Sequence, residues 1–284
     1  MTSEVMAQAK SPDTLGGMQS SGFPGLLRRS RLHRRLSQEQ LAFDAEISTR
    51  HVSYLENGKS RPSREMVLVL ASALELELRD RNTLLSSAGF APVYRTSGLE
   101  SLQLAPVRRA VELLLEKQEP YGAVLIDRCY NLLQANRGAQ RLLARFIDPT
   151  RLEPAVATNL VRAMLHPNGL RDAIVNWSEV VAMALERLQR ACASYPEDMQ
   201  RAALLEEVSN YPGLEGATAA PSTEEPVAIV HLNNGTDDIR LFTMLTTIGT
   251  PLDVTAQDLT LESFFPADEA TDAWYRKLAC EDMA

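Results

Sequence analysis

Cysteine is scarce in this sequence and widely scattered: Cys129, Cys192 and Cys280 are the only three in 284 residues. An odd set at such spacing builds neither a disulfide framework nor a metal site, and it suits a reducing cytoplasm. Histidine is nearly as rare. None of His33, His51, His166 and His231 falls in a HExxH-type spacing, and no glycine-rich phosphate loop is present. Cys129 with His166 or His231 is the nearest approach to a catalytic pair, but a lone cysteine is more often an inert apolar group. These absences point away from an enzyme and from a resident cofactor or metal. No apolar run reaches the ~18 residues of a membrane span. Residues 1–23 are polar, lack an apolar stretch of signal-peptide length and read as a disordered tail.

Apolar residues make up 45% of the chain, enough for packed cores, and the length accommodates two domains. The net charge of -8 hides an uneven distribution. Residues 24–65 hold nine Lys/Arg against five Asp/Glu, whereas residues 96–284 hold sixteen against twenty-seven. A basic front end beside an acidic remainder places nucleic acid at the front only.

That front end carries the clearest motif, between Leu26 and Pro62. Ser37 and Gln40 form the S-x-x-Q pattern of a capping box, and Ser48 caps a second short helix. Five helices fit residues 24–90 of a domain over 24–92: Pro24–Arg35, Gln38–Asp44, Thr49–Asn57, Pro62–Leu74 and Leu78–Ala88. Gly58 and Gly89 stand at two of their ends. Leu32, Leu36, Leu41, Ala42, Ile47, Val52, Leu55, Val67, Leu70, Ala71 and Leu74 are the expected core. The second and third helices make a helix-turn-helix, which sets the third in the DNA major groove. Thr49, Arg50 and Ser53 then face the groove, with Ser48 and His51 beside them. Arg50 is the first candidate for a base contact, because its fork matches both acceptors of guanine. Gln38 is expected on a phosphate at a helix start, and Asn57, Lys59 and Arg61 on the backbone past the third helix. Arg31 and Glu56 are expected to form a partly buried ion pair between the first and third helices.

Phe90–Pro106 reads as a connector and Val107–Gln118 as an amphipathic helix, so residues 93–118 link the two domains. Beyond them the period changes. Ala123–Asp127 and Tyr130–Gln134 read as strands and Asn136–Phe146 as a helix. A helical region over 155–208 follows, broken at 166–169 and Pro196, with a long central helix Arg171–Ser194. Residues 213–226 read as a surface loop. Val227–Leu232, Ile239–Ile248 and Leu259–Phe265 read as strands, with Asn234-Gly235 in a hairpin turn, and Thr271–Cys280 closes as a helix.

The segment SQEQLAFDAEISTRHVSYLENGKSRPS resembles the DNA-binding domain of Xre-type regulators, the group that includes the phage lambda-like repressors. RPSREMVLVLASALELELRDRNTLLSSAGFAPVY is similar to a narrower group whose members carry a C-terminal MmyB-like ligand-binding domain. APVRRAVELLLEKQEPYGAVLIDRCYNLLQAN, LHPNGLRDAIVNW, TTIGTPLDVT and LESFFPADEAT extend that resemblance. It implies a helix-rich α+β chain: a five-helix lambda-repressor-like domain, then a PAS-like domain (residues 119–284) of antiparallel strands with inserted helices. It also implies transcription regulation, a homodimer on a double-stranded operator and a fatty-acid-like occupant of an apolar cavity. Glu46 stands where such domains often have Gly, at a cost of ~1 kcal/mol if its φ is positive.

A ligand pocket is mostly apolar with a few polar groups. Met164, Leu165, Ile174, Trp177, Val181 and Leu185 on helices, and Leu133, Phe242, Met244 and Phe264 on strands, are its candidate lining. Arg162, His166 and Asn176 are its candidate polar groups, of which Arg162 or His166 suits a carboxylate. The alternative is a protein-interaction module without a small-molecule ligand.

Overall fold

The computed structural model describes residues 22–148, 150–195, 198–214 and 226–281. The expected tail over 1–21, the break at Pro196 and most of the expected loop over 213–226 lie outside them. The chain divides after Pro92 into two compact units.

The first unit consists of α1 (Phe23–His33), α2 (Gln38–Asp44), α3 (Thr49–Glu56), α4 (Arg64–Ala73) and α5 (Leu78–Ser87). Ser37, Ser48 and Ser63 cap α2, α3 and α4, each accepting the N–H three residues on at 3.0–3.2 Å. Only half of the expected capping box forms: the Gln40 amide donates forward to Asp44 (2.9 Å) instead of back to residue 37. All five helices stop the same way. Arg35, Glu46, Gly58, Glu75 and Gly89 adopt φ between 48° and 87°. The next residue's N–H then reaches the carbonyl five positions back, from Leu36, Ile47, Lys59, Leu76 and Phe90 at 2.8–3.1 Å. Four of those five residues are apolar and pack on the core, so each turn is sealed by a side chain. Glu46 takes the left-handed conformation expected of it, with φ 54°.

The core contains Leu41, Ala42, Val52, Leu55, Val67, Leu70, Ala71 and Leu74, with Leu36 and Ile47 at its border. Leu32 departs from expectation and is 55% exposed. Phe23, Leu26 and Leu27 are buried instead, and with them Arg31. At ~100° per residue that face excludes Leu32. Phe23 is thus the start of α1 and not part of a tail.

The second unit holds a five-stranded antiparallel sheet. Its strands are β1 (Ala123–Ile126), β2 (Leu132–Ala135), β3 (Val230–Asn233), β4 (Asp238–Thr247) and β5 (Thr260–Pro266), in the order β2-β1-β5-β4-β3. Its helices are α6 (Ala105–Lys117), α7 (Arg137–Phe146), α8 (Pro154–Ala157), α9 (Leu160–Leu165), α10 (Trp177–Ser194), α11 (Met199–Ser209), α12 (Val254–Asp258) and α13 (Glu269–Glu281). Helices α7 to α11 are inserted between β2 and β3, the expected PAS-like arrangement.

Period two sorts the strands into two faces. Val124, Ile126, Ile239, Leu241 and Phe264 meet Val161, Leu165, Val180, Val181, Ala184 and Leu188 of the inserted helices. Ala123, Leu125 and Leu261 turn the other way, under Val111 and Leu115 of α6. Asn136 stitches these layers from a buried position. Its Oδ1 accepts the N–H groups of Ala123 and Ala139, and its Nδ2 donates to the carbonyls of Leu115 and Tyr121.

Two segments depart from expectation. The single helix Arg171–Ser194 is interrupted, with a 3-10 turn at Arg171–Ala173 and α10 starting only at Trp177. Between them the backbone pairs with β3: Val175 N–H reaches the His231 carbonyl at 2.8 Å, and the Asn176 side chain accepts from His231 N–H and donates to the Ile229 carbonyl. Backbone groups spent on a sheet edge are not available to a helix. The expected connector is also not free from residue 93 onward. Arg95 accepts from Val254 N–H, Ser97 N–H reaches Asp253, and Leu99 packs under α6. These residues belong to the second unit.

Candidate nucleic-acid interface and ligand domain

Helix α3 is fixed by its buried side and offers its polar side. Val52, Leu55 and Glu56 face inward. Arg31 and Glu56, both over 90% buried, form a bidentate pair: Nε to Oε1 at 2.6 Å and Nη2 to Oε2 at 2.9 Å. Arg31 also donates to the Leu36 carbonyl (2.7 Å), tying α1 to its own end. Gln38 donates to Glu56 Oε2 at 2.7 Å, a role that its expected placement on a phosphate did not include. Its second amide hydrogen and the start of α2 remain for an anion. Burial pushes the Glu56 carboxyl up, but the bonds from Arg31 and Gln38 outweigh it and hold the group below the usual carboxylate range. The Arg31 guanidinium is raised by the same bond.

On the outer side Ser48, Thr49, Arg50, Asn57, Lys59 and Arg61 are exposed, and His51 and Ser53 half-buried. Asn57 donates to the Ser53 carbonyl (2.7 Å), closing the end of the helix. Tyr54, absent from the sequence-level candidates, organises this face. Arg50 donates to its hydroxyl through Nε and Nη2 (3.0 and 2.7 Å), and the guanidinium carbon lies 5.1 Å from the ring centroid. Lys59 Nζ lies 5.9 Å from the same centroid. The signal was legible: an aromatic on a polar helix side, four residues after Arg50. Arg34, in the basic run of α1, donates to the Glu75 carbonyl (2.7 Å) at the end of α4 and so works within the fold.

In the second unit the candidate ligand residues separate into groups. Leu165, Ile174, Val181 and Phe264 are buried in one core, with Met164, Trp177 and Leu185 packed against it. Phe242 and Met244 lie on the opposite face of the sheet, because β4 alternates and Ile239 and Leu241 take the helix side. Phe242 stacks on Phe265 at 5.6 Å. Leu133 is exposed on β2.

The polar candidates all have protein partners. Arg162 donates twice to Glu207 (2.7 and 2.6 Å), and the Tyr211 hydroxyl donates to the same carboxylate (2.9 Å). The bond from Arg162 holds Glu207 low; burial, reinforced by Glu207, pushes Tyr211 up to about 12. His166 sits edge-on to Tyr211 at 5.1 Å, and its Nδ1 accepts the Asn168 N–H. Asn176 holds β3, as above.

Arg162 also lines a cleft of about 270 Å³ with Cys129, Asn131, Asn159, Gln200, Ala203 and Leu204. Burial pushes the Cys129 thiol up. A second polar contact escaped the sequence reading. Glu262, buried on the helix side of β5, meets Arg187 of α10 at 3.3 Å, and that guanidinium lies 5.2 Å from the Tyr130 ring centroid. Its signal is a charge inside the apolar run LESFF.

The family described as MmyB-like transcription regulator ligand binding domain matches residues 107–278, and the helix-turn-helix family matches residues 27–80. This chain belongs to the MmyB-like transcription regulators. In this MmyB-like regulator the matched segments fall one in each compact unit, and α2 with α3 is the helix-turn-helix of its DNA-binding domain.

Among solved structures, the restriction-modification controller protein C.AhdI from Aeromonas hydrophila is 37% identical over 21% of this chain and 89% of that one, with a TM-score of 0.20. An RNA-binding light-oxygen-voltage receptor is 10% identical over 93% of this chain and 63% of that one, with a TM-score of 0.25. No curated protein matches the chain. Among the described residues of this regulator, no helix is long and apolar enough to cross a membrane.

Proposed function

We propose that this MmyB-like regulator reads a double-stranded operator as a homodimer and that a small apolar molecule with a carboxylate head, such as a fatty acid, alters that reading by binding the PAS-like unit. One observation carries the ligand: Arg162 stands on the wall of a cleft beside the apolar core. Its guanidinium is partly exposed and held by Glu207 at 2.6 Å, so an incoming carboxylate exchanges one anionic partner for another. Ala203 and Leu204, on the same wall, are the apolar groups that an acyl chain would first meet. No reaction is assigned to the chain. Its most buried thiol, Cys129, is raised by desolvation and stays a thiol at neutral pH, the opposite of an activated nucleophile.

Mass spectrometry of the purified protein tests this, first native and then denatured with solvent extraction. A stoichiometric lipid-sized mass released on denaturation supports the reading, and its loss in Arg162→Ala places the head group. A protein that stays empty after incubation with long-chain fatty acids overturns it and favours a unit that acts by binding another protein.

A further inference from the structure

We propose that the open edge of β4 over Phe242–Thr247 is the surface on which a second copy of this chain adds its own β4, antiparallel, so that the two sheets become one. The proposal rests on the homodimer reading above and supplies its interface. The sheet has three stretches of outer edge, and two are covered by the chain itself. Beside β2, Leu132 N–H reaches the Thr158 carbonyl and Leu160 N–H the Tyr130 carbonyl (2.8 and 2.9 Å). Beside β3, Val175 and Asn176 pair with His231 and Ile229. The third stretch begins where β3 stops, at Val230 opposite Leu241. Beyond it β4 runs on to Thr247 with β5 as its only strand neighbour among the described residues.

The pairing alternation shows which backbone groups are free. Asn234 N–H reaches the Asp237 carbonyl, and the Arg240 carbonyl accepts from Ala267 on the other side. Odd-numbered residues of β4 therefore address the β3 side and even-numbered ones β5. Thr243, Leu245 and Thr247 turn their N–H and C=O groups to the open edge, and no described group of the protein bonds them there.

Edges of monomeric proteins are blunted by charges, prolines or bulges. This one has none. No charged residue occurs from Leu241 to Leu252, no proline before Pro251, and the β4–β5 register is unbroken from Leu241↔Pro266 to Thr247↔Thr260. Residues 243–247 are exposed on both faces, with Met244 at 55% and Leu245 at 49%.

A second copy fits this edge better than a foreign strand. Antiparallel pairing about a twofold axis is its own mate, and an isologous contact is what a dimer requires. Centred on Leu245, it pairs that residue with its counterpart in the second copy and Thr243 with the counterpart of Thr247. All three present the same face and the same outward groups. No charge of either copy meets its like.

The test is sedimentation and native mass spectrometry of the full chain in three forms: wild type, Leu245→Lys and Leu245→Glu. The wild type is expected to be a dimer. Each variant places like charges opposite one another and weakens the dimer by roughly tenfold or more. Mixing the two variants restores a dimer containing one of each, because Lys then faces Glu. Leu245 is half exposed and sits opposite Glu262 on β5, so Leu245→Lys places an opposite charge there, whereas Leu245→Glu adds a like one and its fold is checked by circular dichroism before its dimer is scored. Thr243→Pro, which removes only an outward N–H, gives an independent monomer with an unchanged circular dichroism spectrum. Variants as dimeric as the wild type overturn the interface and leave the homodimer reading standing. A wild type that stays monomeric overturns both, while ligand release and DNA binding are scored separately.

Discussion

Arg31 and Glu56 show what a buried charge does in this fold. Each is nearly enclosed, and their bond joins α1 to α3, the second helix of the helix-turn-helix. Removing one partner strands the other, so Arg31→Met or Glu56→Leu alone is expected to cost ~3–5 kcal/mol in urea unfolding, and the double variant less than the sum. The pair also carries a pH dependence. Glu56 has a folded pKa below its unfolded value of ~4.3. Its stabilisation is complete above that value and lost as pH falls through the folded one. Unfolding of the first unit between about pH 5 and pH 3 is expected to be flatter in Glu56→Gln than in wild type. Glu46 makes the opposite case. Its side chain is exposed and its φ is 54°, so Glu46→Gly is expected to raise stability by ~0.5–1 kcal/mol. A loss would mean that the carboxylate has a role in the turn.

At the scale of elements, α3 combines a rigid inner side with an outer side pre-arranged by Tyr54. Arg50→Ala is expected to weaken operator binding by ~1–3 kcal/mol and relax preference at one base position, whereas Lys59→Ala weakens all sequences alike and lowers the salt slope. Tyr54→Phe removes the hydroxyl that holds Arg50 but keeps the ring under Lys59. It is expected to shift base preference while leaving the salt slope unchanged; equal weakening across sequences would assign Arg50 to the backbone. Local elements were largely legible in advance. Serine caps, Gly58 and Gly89, and the 3.6-residue period placed the five helices of the first unit, and the alternating strands of the second were placed by period two. What escaped depends on tertiary partners. Leu32 has the right residue type and the wrong phase. The helix expected from Arg171 fails at Ile174–Asn176 because β3 competes for its backbone. Residue type groups Phe242 and Met244 with the helix-side residues, but strand register sends them to the other face. Glu207 on α11 and Tyr211 just past its end occupy Arg162 and His166 from more than forty residues away, which no local pattern reports.

For the whole molecule, the division of labour follows the charge. The basic unit carries the helix-turn-helix, and the acidic unit carries the PAS-like ligand-binding domain of the MmyB-like family. The chain between them is short, because Arg95 and Ser97 are already hydrogen-bonded within the second unit. A ligand signal passing along this chain requires that docking. Replacing residues 90–99 with a Gly/Ser linker is expected to abolish any ligand effect on operator affinity while leaving the ligand bound; survival of the effect would exclude this route.

The most direct measurement is the affinity of the full chain for duplexes selected from a random pool, taken with the protein stripped of lipid and again after a long-chain fatty acid is added back. Ligand-controlled reading of DNA predicts enrichment of an inverted repeat and an affinity that changes with the fatty acid, an effect lost in Arg162→Ala. Enrichment without any response to fatty acid, or no enrichment at all, would contradict it.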